Sequence, residues 1–195
     1  MLARGRVPRW AVTLLCALLG VLVCLDSIAE TAVPLALQVR LLARLGPYDR
    51  NFKSRAGAAV NVLVVRRKGD EESSFEQASL LRVLADVRDI GGLPVHVAEV
   101  ELSDAEALAK RCRAEHISVL YLTHGLEEDT PRLTAALANG DILTVGTSAR
   151  HAENGAVVGF ALEEARPRLV INLPRARAQN VDFRAEVLAL ARLIQ

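Results

Sequence analysis

Three short segments concentrate the side chains that could do chemistry. Thr123-His124-Gly125 and Gly146-Thr147-Ser148 each close an apolar run, and Arg66-Arg67-Lys68-Gly69 closes a third. In an open parallel sheet, ligands bind beyond the carboxyl ends of the strands. Hydroxyls, an imidazole and freed backbone amides at such ends suit an anion or a small polar ligand. The ligand-site candidates are therefore Thr123, His124, Gly125, Gly146, Thr147 and Ser148. Threonine and serine also satisfy backbone groups at turns and helix starts, which explains them locally without a ligand. His124 and His151 can pair only if their two loops meet; otherwise each is a solvent-exposed loop histidine. His96 alternates with Val95 and Val97 and should face away from the core. A fourth segment, Tyr48-Asp49-Arg50-Asn51, is dense in functional groups. Tyrosine and arginine are favoured anchors at protein interfaces, so Tyr48, Asp49 and Arg50 are the partner-contact candidates. The structural alternative is that Tyr48 and Phe52 dock this loop onto a sheet. Asp49 and Arg50 would then make a local ion pair, worth little if exposed.

Other chemistry is missing. No Gly-x-Gly-x-x-Gly, phosphate-loop Gly-Lys-Ser/Thr, Gly-x-Ser-x-Gly or His-Glu-x-x-His occurs. No nucleophile, base and orienting group can be nominated together, so a non-enzyme is expected, without a cofactor. Cys112 and His116 are spaced as two helical neighbours, but two ligands do not close a metal site. Aromatic residues make up 4% of the chain and no basic patch stands out, so a nucleic-acid partner is not expected.

The N-terminus decides the compartment. Arg4, Arg6 and Arg9 precede an apolar run from Trp10 to Leu25, and Ser27-Ile28-Ala29 then offers small residues at the cleavage positions. That is the layout of a secretory signal peptide. The run is short for a spanning helix, which needs about 17–25 apolar residues; an uncleaved anchor is the rival reading. Cys16 and Cys24 follow Leu15 and Val23 rather than small residues, which argues against a lipoprotein. The expected layout is a leader over 1–29 and one domain over 30–195, in the periplasm. Removing Arg4, Arg6, Arg9 and Asp26 turns 24 basic and 23 acidic residues into 21 and 22, a net charge of −1. Only Cys112 remains, so the mature chain cannot staple itself with a disulfide. It shares a helical face with Ala105, Leu108 and Ala109 and reads as a buried small hydrophobe.

The elements that must position these residues alternate. Pro34 opens a helix carrying Leu35, Val39, Leu42 and Leu45, stopped at Gly46-Pro47. Val60 to Val65 is a β-branched run, as in a strand buried on both faces. Acids at Asp70 to Glu72 lead a helix whose Phe75, Ala78, Leu81, Leu84 and Val87 recur at helical spacing, with Gly91-Gly92 as its stop. Pro94 to Val100 is a strand, and Ser103 to Glu106 reads as a capping box for a helix to about Ala114. Ile117–Leu122 and Ile142–Val145 are strands around a helix begun at Thr130-Pro131. Ala156–Leu162 and Arg168–Leu173 are joined too briefly for a parallel crossover, so they form an antiparallel hairpin. Phe183, Val187, Leu190 and Ile194 describe a closing helix. The expected fold is a single three-layer α/β domain with a mostly parallel sheet of about five to six strands, a C-terminal hairpin and a closing helix. Unpaired hairpin edges are compatible with a homodimer.

Several of these segments are similar to one family. Leu45 to Phe52, the strand Val60 to Val65, and the Ile117 to Leu122 strand with its Thr-x-Gly turn resemble the YfiR-like periplasmic proteins. So does the C-terminal run: Leu169-Val170-Ile171-Asn172-Leu173, Pro174 to Ala178, Val181-Asp182-Phe183 and Leu188 to Arg192. The resemblance implies a regulator that contacts the periplasmic sensor domain of a membrane diguanylate cyclase and represses it, release raising cyclic di-GMP. It also admits histidine-kinase sensor domains as partners. The disulfides common in that family are missing here, which puts their redox control in doubt for this chain.

Overall fold

A computed structural model describes residues 32–138 and 140–195. The expected leader over 1–29 lies outside the described residues. Ala32–Gln195 form one compact unit.

The strand with the strongest β-branched run lies inside the sheet, third from one edge. β1 (Val60–Arg67) has Val60 and Val62 to Val65 almost wholly buried. It pairs in parallel with β3 (Leu93–Leu102) on one side and β4 (Val119–Leu122) on the other. β5 (Leu143–Gly146) and β6 (Val158–Glu163) continue the parallel sheet. β7 (Arg166–Asn172) returns antiparallel to β6, as the short link requires. With β2 (Asp89–Ile90) and β8 (Arg192–Ile194) at its edges, the sheet has eight strands in the order β2-β3-β1-β4-β5-β6-β7-β8.

Alternate residues of the central strands face opposite cores, as a period of two demands. Val62, Val64, Val119 and Tyr121 meet α1 (Leu35–Leu45) and α3 (Glu71–Ala85). Leu63, Val65, Leu120 and Leu122 meet α4 (Ala105–Ala114) and α5 (Thr130–Ala136). Short helices α2 (Phe52–Ala56), α6 (Ala149–Glu153), α7 (Leu173–Ala178) and α8 (Ala185–Leu188) complete the chain. Among the described residues no helix is long and apolar enough to cross a membrane.

Five expectations are corrected. The sheet gains β2 and β8 beyond the expected strands. Gly91 and Gly92, at φ +60° and +82°, turn the β2–β3 hairpin rather than ending a helix, which stops at Ala85. The closing helix is only α8. Phe183 and Val187 are buried, but Leu190 is exposed and Ile194 joins β8, which pairs in parallel with β7 and covers its open edge. α3 turns Ser73, Gln77, Leu80 and Leu84 inward, and leaves Phe75 71% exposed. Gln77 Nε2 donates to the carbonyls of Val64 (3.0 Å) and Val100 (3.3 Å), so polar groups occupy the face that apolar spacing assigned elsewhere. At α4 the cap is Asp104, whose carboxylate accepts from Ala107 N–H at 2.9 Å, one residue past the expected Ser103.

The β6–β7 turn carries a removable strain. Glu164 and Ala165 sit at φ +49° and +60°, the left-handed pair a two-residue hairpin of this hand requires. Left-handed backbone costs about 1–2 kcal/mol for a residue with a Cβ and far less for Asn-Gly. The double substitution Glu164→Asn, Ala165→Gly should raise the unfolding free energy by about 1 kcal/mol in urea melts. Unchanged stability would show that the turn is not strained.

Candidate functional site

The chain leaves β1 toward β3, then crosses back to β4 on the other side. β1 and β4 therefore flank the topological switch point, where ligands bind in open α/β sheets. All three strand-end segments lie on this carboxyl end, and the six ligand-site candidates gather there.

Each is engaged by the protein itself. Thr123 is wholly buried; its hydroxyl donates to Val65 O (2.9 Å) and lies 2.7 Å from Ser73 Oγ. Ser73 Oγ also accepts the Arg67 N–H at 2.8 Å, and Asp70 caps α3 by accepting from Ser73 N–H at 2.9 Å. Glu76 projects from α3 between the β4 and β5 ends. Its Oε2 accepts the backbone N–H of His124 and, at 3.1 Å, the hydroxyl of Thr147. Gly125 sits at φ +81° with its carbonyl taken by Arg67. Gly146, the last residue of β5, lies directly under His151.

His151 corrects the expectation of an exposed loop histidine: it is 0% exposed. Its Nε2 faces the Thr123 carbonyl at 3.1 Å, so Nε2 carries the proton and Nδ1 accepts from Ser148 Oγ at 3.0 Å. The two histidine loops do meet, through Glu127, whose carboxylate lies 3.8 Å from His124 Nδ1 and 3.7 Å from His151 Nδ1. His124 is half-exposed and also faces Glu72, 3.4 Å from Nε2.

Burial sets the charge states here. Desolvation lowers the His151 pKa below its ordinary 6.5, outweighing Glu127 and the Thr123 carbonyl, which favour the imidazolium. Desolvation raises the Glu76 pKa above 4.5, against the opposing hydrogen bonds from His124 and Thr147. The two act oppositely on stability. An unfolded His151 takes a proton that the folded one refuses, so its contribution is present above pH 6.5 and is lost as pH falls. A folded Glu76 holds its proton longer than an unfolded one, so its contribution is full below pH 4.5 and is lost as pH rises through the folded value. The substitution Glu76→Gln should therefore stabilise the fold at pH 7 relative to pH 4, compared with wild type, in parallel urea melts. A stability difference independent of pH would overturn this.

A second polar chain runs to the same end from α1. Tyr121 OH donates to Gln38 Oε1 at 2.9 Å, and Gln38 Nε2 donates to the carbonyls of Val33 (2.8 Å) and Thr147 (3.0 Å). Sequence reasoning missed Ser73, Glu76, Glu127 and Gln38. The available signal was polar residues on the inward helical spacing of α3: Ser73 and Gln77 share a face with Leu80 and Leu84.

The partner-contact candidates lie at the opposite, amino end of the sheet. The expected Asp49–Arg50 pair does not form. Asp49 is 5% exposed and pairs with the buried Arg55, while Arg50 holds both oxygens of Asp182 at 2.9 and 3.0 Å on the surface. Phe52 docks into the core as expected, but Tyr48 remains 42% exposed. Cys112 is buried, its thiol pushed up to about 11 by desolvation, and His96 is exposed; both match expectation.

The fold is shared with solved structures. A conserved domain protein from Vibrio cholerae matches at TM-score 0.61 and 16% identity, over 83% of this chain and 60% of that one. A ligand-free, open substrate-binding protein with adhesive properties from Clostridium difficile matches at 0.55 and 13%, over 74% and 57%. An ABC domain in complex with L-Trp from Streptococcus pneumoniae matches at 0.58 and 12%, over 83% and 60%. The chain thus spans no more than 60% of the length of these neighbours. No curated protein matches it. A family model described as YfiR/HmsC-like matches residues 37–192, nearly all of the described unit and every segment in which the resemblance was read, and the chain belongs to that family.

Proposed function

We propose that this protein is a non-enzymatic periplasmic regulator that binds the extracytoplasmic sensor domain of a membrane signalling protein and modulates its output. A diguanylate cyclase is the first candidate partner and a sensor histidine kinase the second. The observation that carries this reading is the family match over residues 37–192. The leader-like N-terminus supports export. Of the residues nominated for contact, Tyr48 and Arg50 are exposed, whereas Asp49 is a buried support beneath them. Co-purification of the full chain with the sensor domains of membrane cyclases and kinases from the same cell tests the proposal. Capture of one such domain is expected, with cyclic di-GMP altered on deletion if it is a cyclase. Capture of none, with cyclic di-GMP unchanged, would overturn it.

The second reading is a small-solute module at Thr123, His124, Gly125, Gly146, Thr147 and Ser148. Their gathering at the switch point favours it. The Glu76 carboxylate already takes the His124 N–H and the Thr147 hydroxyl, so an anionic solute must displace it. A bound solute would raise the melting temperature by mass action, and the double substitution His124→Ala, Ser148→Ala would abolish the rise. The regulator reading expects no such rise with the wild-type chain.

A further inference from the structure

An open groove beside Tyr48 is lined by Arg44, Tyr48, Asp89, Gly91, Gly92 and Arg184. Its parts come from three elements: the end of α1, the β2–β3 turn and the segment before α8. Backbone pairing fixes the tyrosine beside the second arginine. Arg50 N–H donates to Asp182 O and Arg184 N–H donates to Tyr48 O, both at 2.9 Å, around an isolated antiparallel bridge between Asp49 and Phe183. Beneath this bridge Asp49 is anchored by Arg55.

The groove is net basic: two arginines, Arg44 and Arg184, line it against one acid, Asp89. The acids of this face are committed elsewhere: Asp182 to Arg50 and Asp49 to Arg55. Asp89 accepts the Gly92 N–H at 3.2 Å and so serves the hairpin turn. Arg44 and Arg184 are exposed and have no acidic partner among the described residues. Two arginines with no acidic partner among the described residues thus line the groove together with a half-exposed phenol, and Gly91 and Gly92 add no side chain to it. Arginine forks suit carboxylates, and tyrosine supplies rigid amphipathic contact. Backbone pairing fixes the main chain at Tyr48 and Arg184, so binding need order only their side chains and that of Arg44.

We propose that this groove docks an acidic, extended segment of a protein partner, with Arg44 and Arg184 on its carboxylates and Tyr48 against its apolar atoms. The inference rests on the regulatory reading for the identity of the partner, but not for the chemistry of the groove. The probe is a fluorescein-labelled peptide of eight residues rich in aspartate and glutamate with one central leucine, titrated against the full chain by anisotropy. A lysine-rich peptide of the same length is the control. Saturable binding of the acidic peptide alone is expected, weakening as salt screens the pair. The double substitution Arg44→Glu, Arg184→Glu should weaken it at least tenfold, and Tyr48→Ala about threefold or more, with unchanged thermal melts. Equal binding by wild type and the charge-reversed chain would overturn the proposal. So would preference for phosphatidylglycerol vesicles over the peptide. Sensor-domain capture separates the two readings. A charge-reversed chain that captures the domain as well as wild type does removes the groove and keeps the regulator. A wild type that captures none removes the regulator, and the peptide titration still judges the groove.

Discussion

Replacing Asp49 with alanine should lower the unfolding free energy by about 3–5 kcal/mol, the range for breaking a buried ion pair from one side. The Asp49 and Arg55 side chains are 1% and 0% exposed. Asp49 Oδ1 accepts the backbone N–H of Asn51 (3.1 Å) and of Asp182 (3.0 Å), and its Oδ2 accepts from Arg55. Arg55 also donates to Asn180 O at 3.2 Å, while its Nε is buried without a partner among the described residues. Truncating Asp49 strands a guanidinium already short of one acceptor and frees two backbone donors. Arg55→Ala should cost less, because Asp49 keeps two N–H partners. The double substitution should cost less than the sum of the singles, as expected for contacting groups. The exposed Arg50–Asp182 pair provides the control: Arg50→Ala should cost under about 1 kcal/mol. Denaturant melts of the four variants decide it, and an Asp49→Ala loss below that of Arg50→Ala would refute the importance of the buried pair.

Substitution Gly146→Ala should be as damaging for a steric reason. A Cβ at Gly146 would lie 2.0 Å from His151 Cβ and 2.2 Å from its Cγ, distances no contact tolerates. Neither side can give way cheaply. Gly146 is held in register against Leu122, and the His151 ring is pinned between the Thr123 carbonyl and Ser148. Overpacking usually costs about 1–3 kcal/mol; here α6 must leave the sheet, so a loss at or above the top of that range, or failure to fold, is expected. Adding His151→Gly removes the obstructing Cβ and ring and should recover part of the loss, whereas His151→Ala keeps the 2.0 Å contact and should not. Gly92→Ala is the contrast: open space surrounds it, and its positive φ alone should cost about 1 kcal/mol. Equal stability of Gly146→Ala and wild type would mean that α6 does not lie against β5 as described.

The alternation of elements was legible because each central segment carries a pattern of its own. The run Val62-Leu63-Val64-Val65 has to be buried on both faces, and it is. The link between β6 and β7 is too short for anything but an antiparallel return. Asn172 at the end of β7 behaves as local chemistry dictates, accepting Arg175 N–H and donating to Ala152 O. The C-terminal run that resembled the YfiR-like proteins led to the right family.

What stayed hidden depends on partners distant in sequence. His151 looked like a loop residue because nothing local says that Gly146 makes room for it, or that the Thr123 carbonyl waits for its proton. Glu76 looked like one more acid on a helix surface; it fills the strand-end crevice only because α3 packs across β1 beside the β4 and β5 loops. Ile194 fits an amphipathic helix as well as a strand, and the unpaired edge of β7 decides between them. Asp49 and Arg50 are neighbours whose charges go to Arg55 and Asp182, the latter more than a hundred residues away. Composition, hydrophobic period and turn chemistry are local, so the chain by itself determined the central elements, their order and their kinship. Which polar side chains are buried together, and which remain free to meet another molecule, is a matter of non-local packing, and only the folded structure decided it.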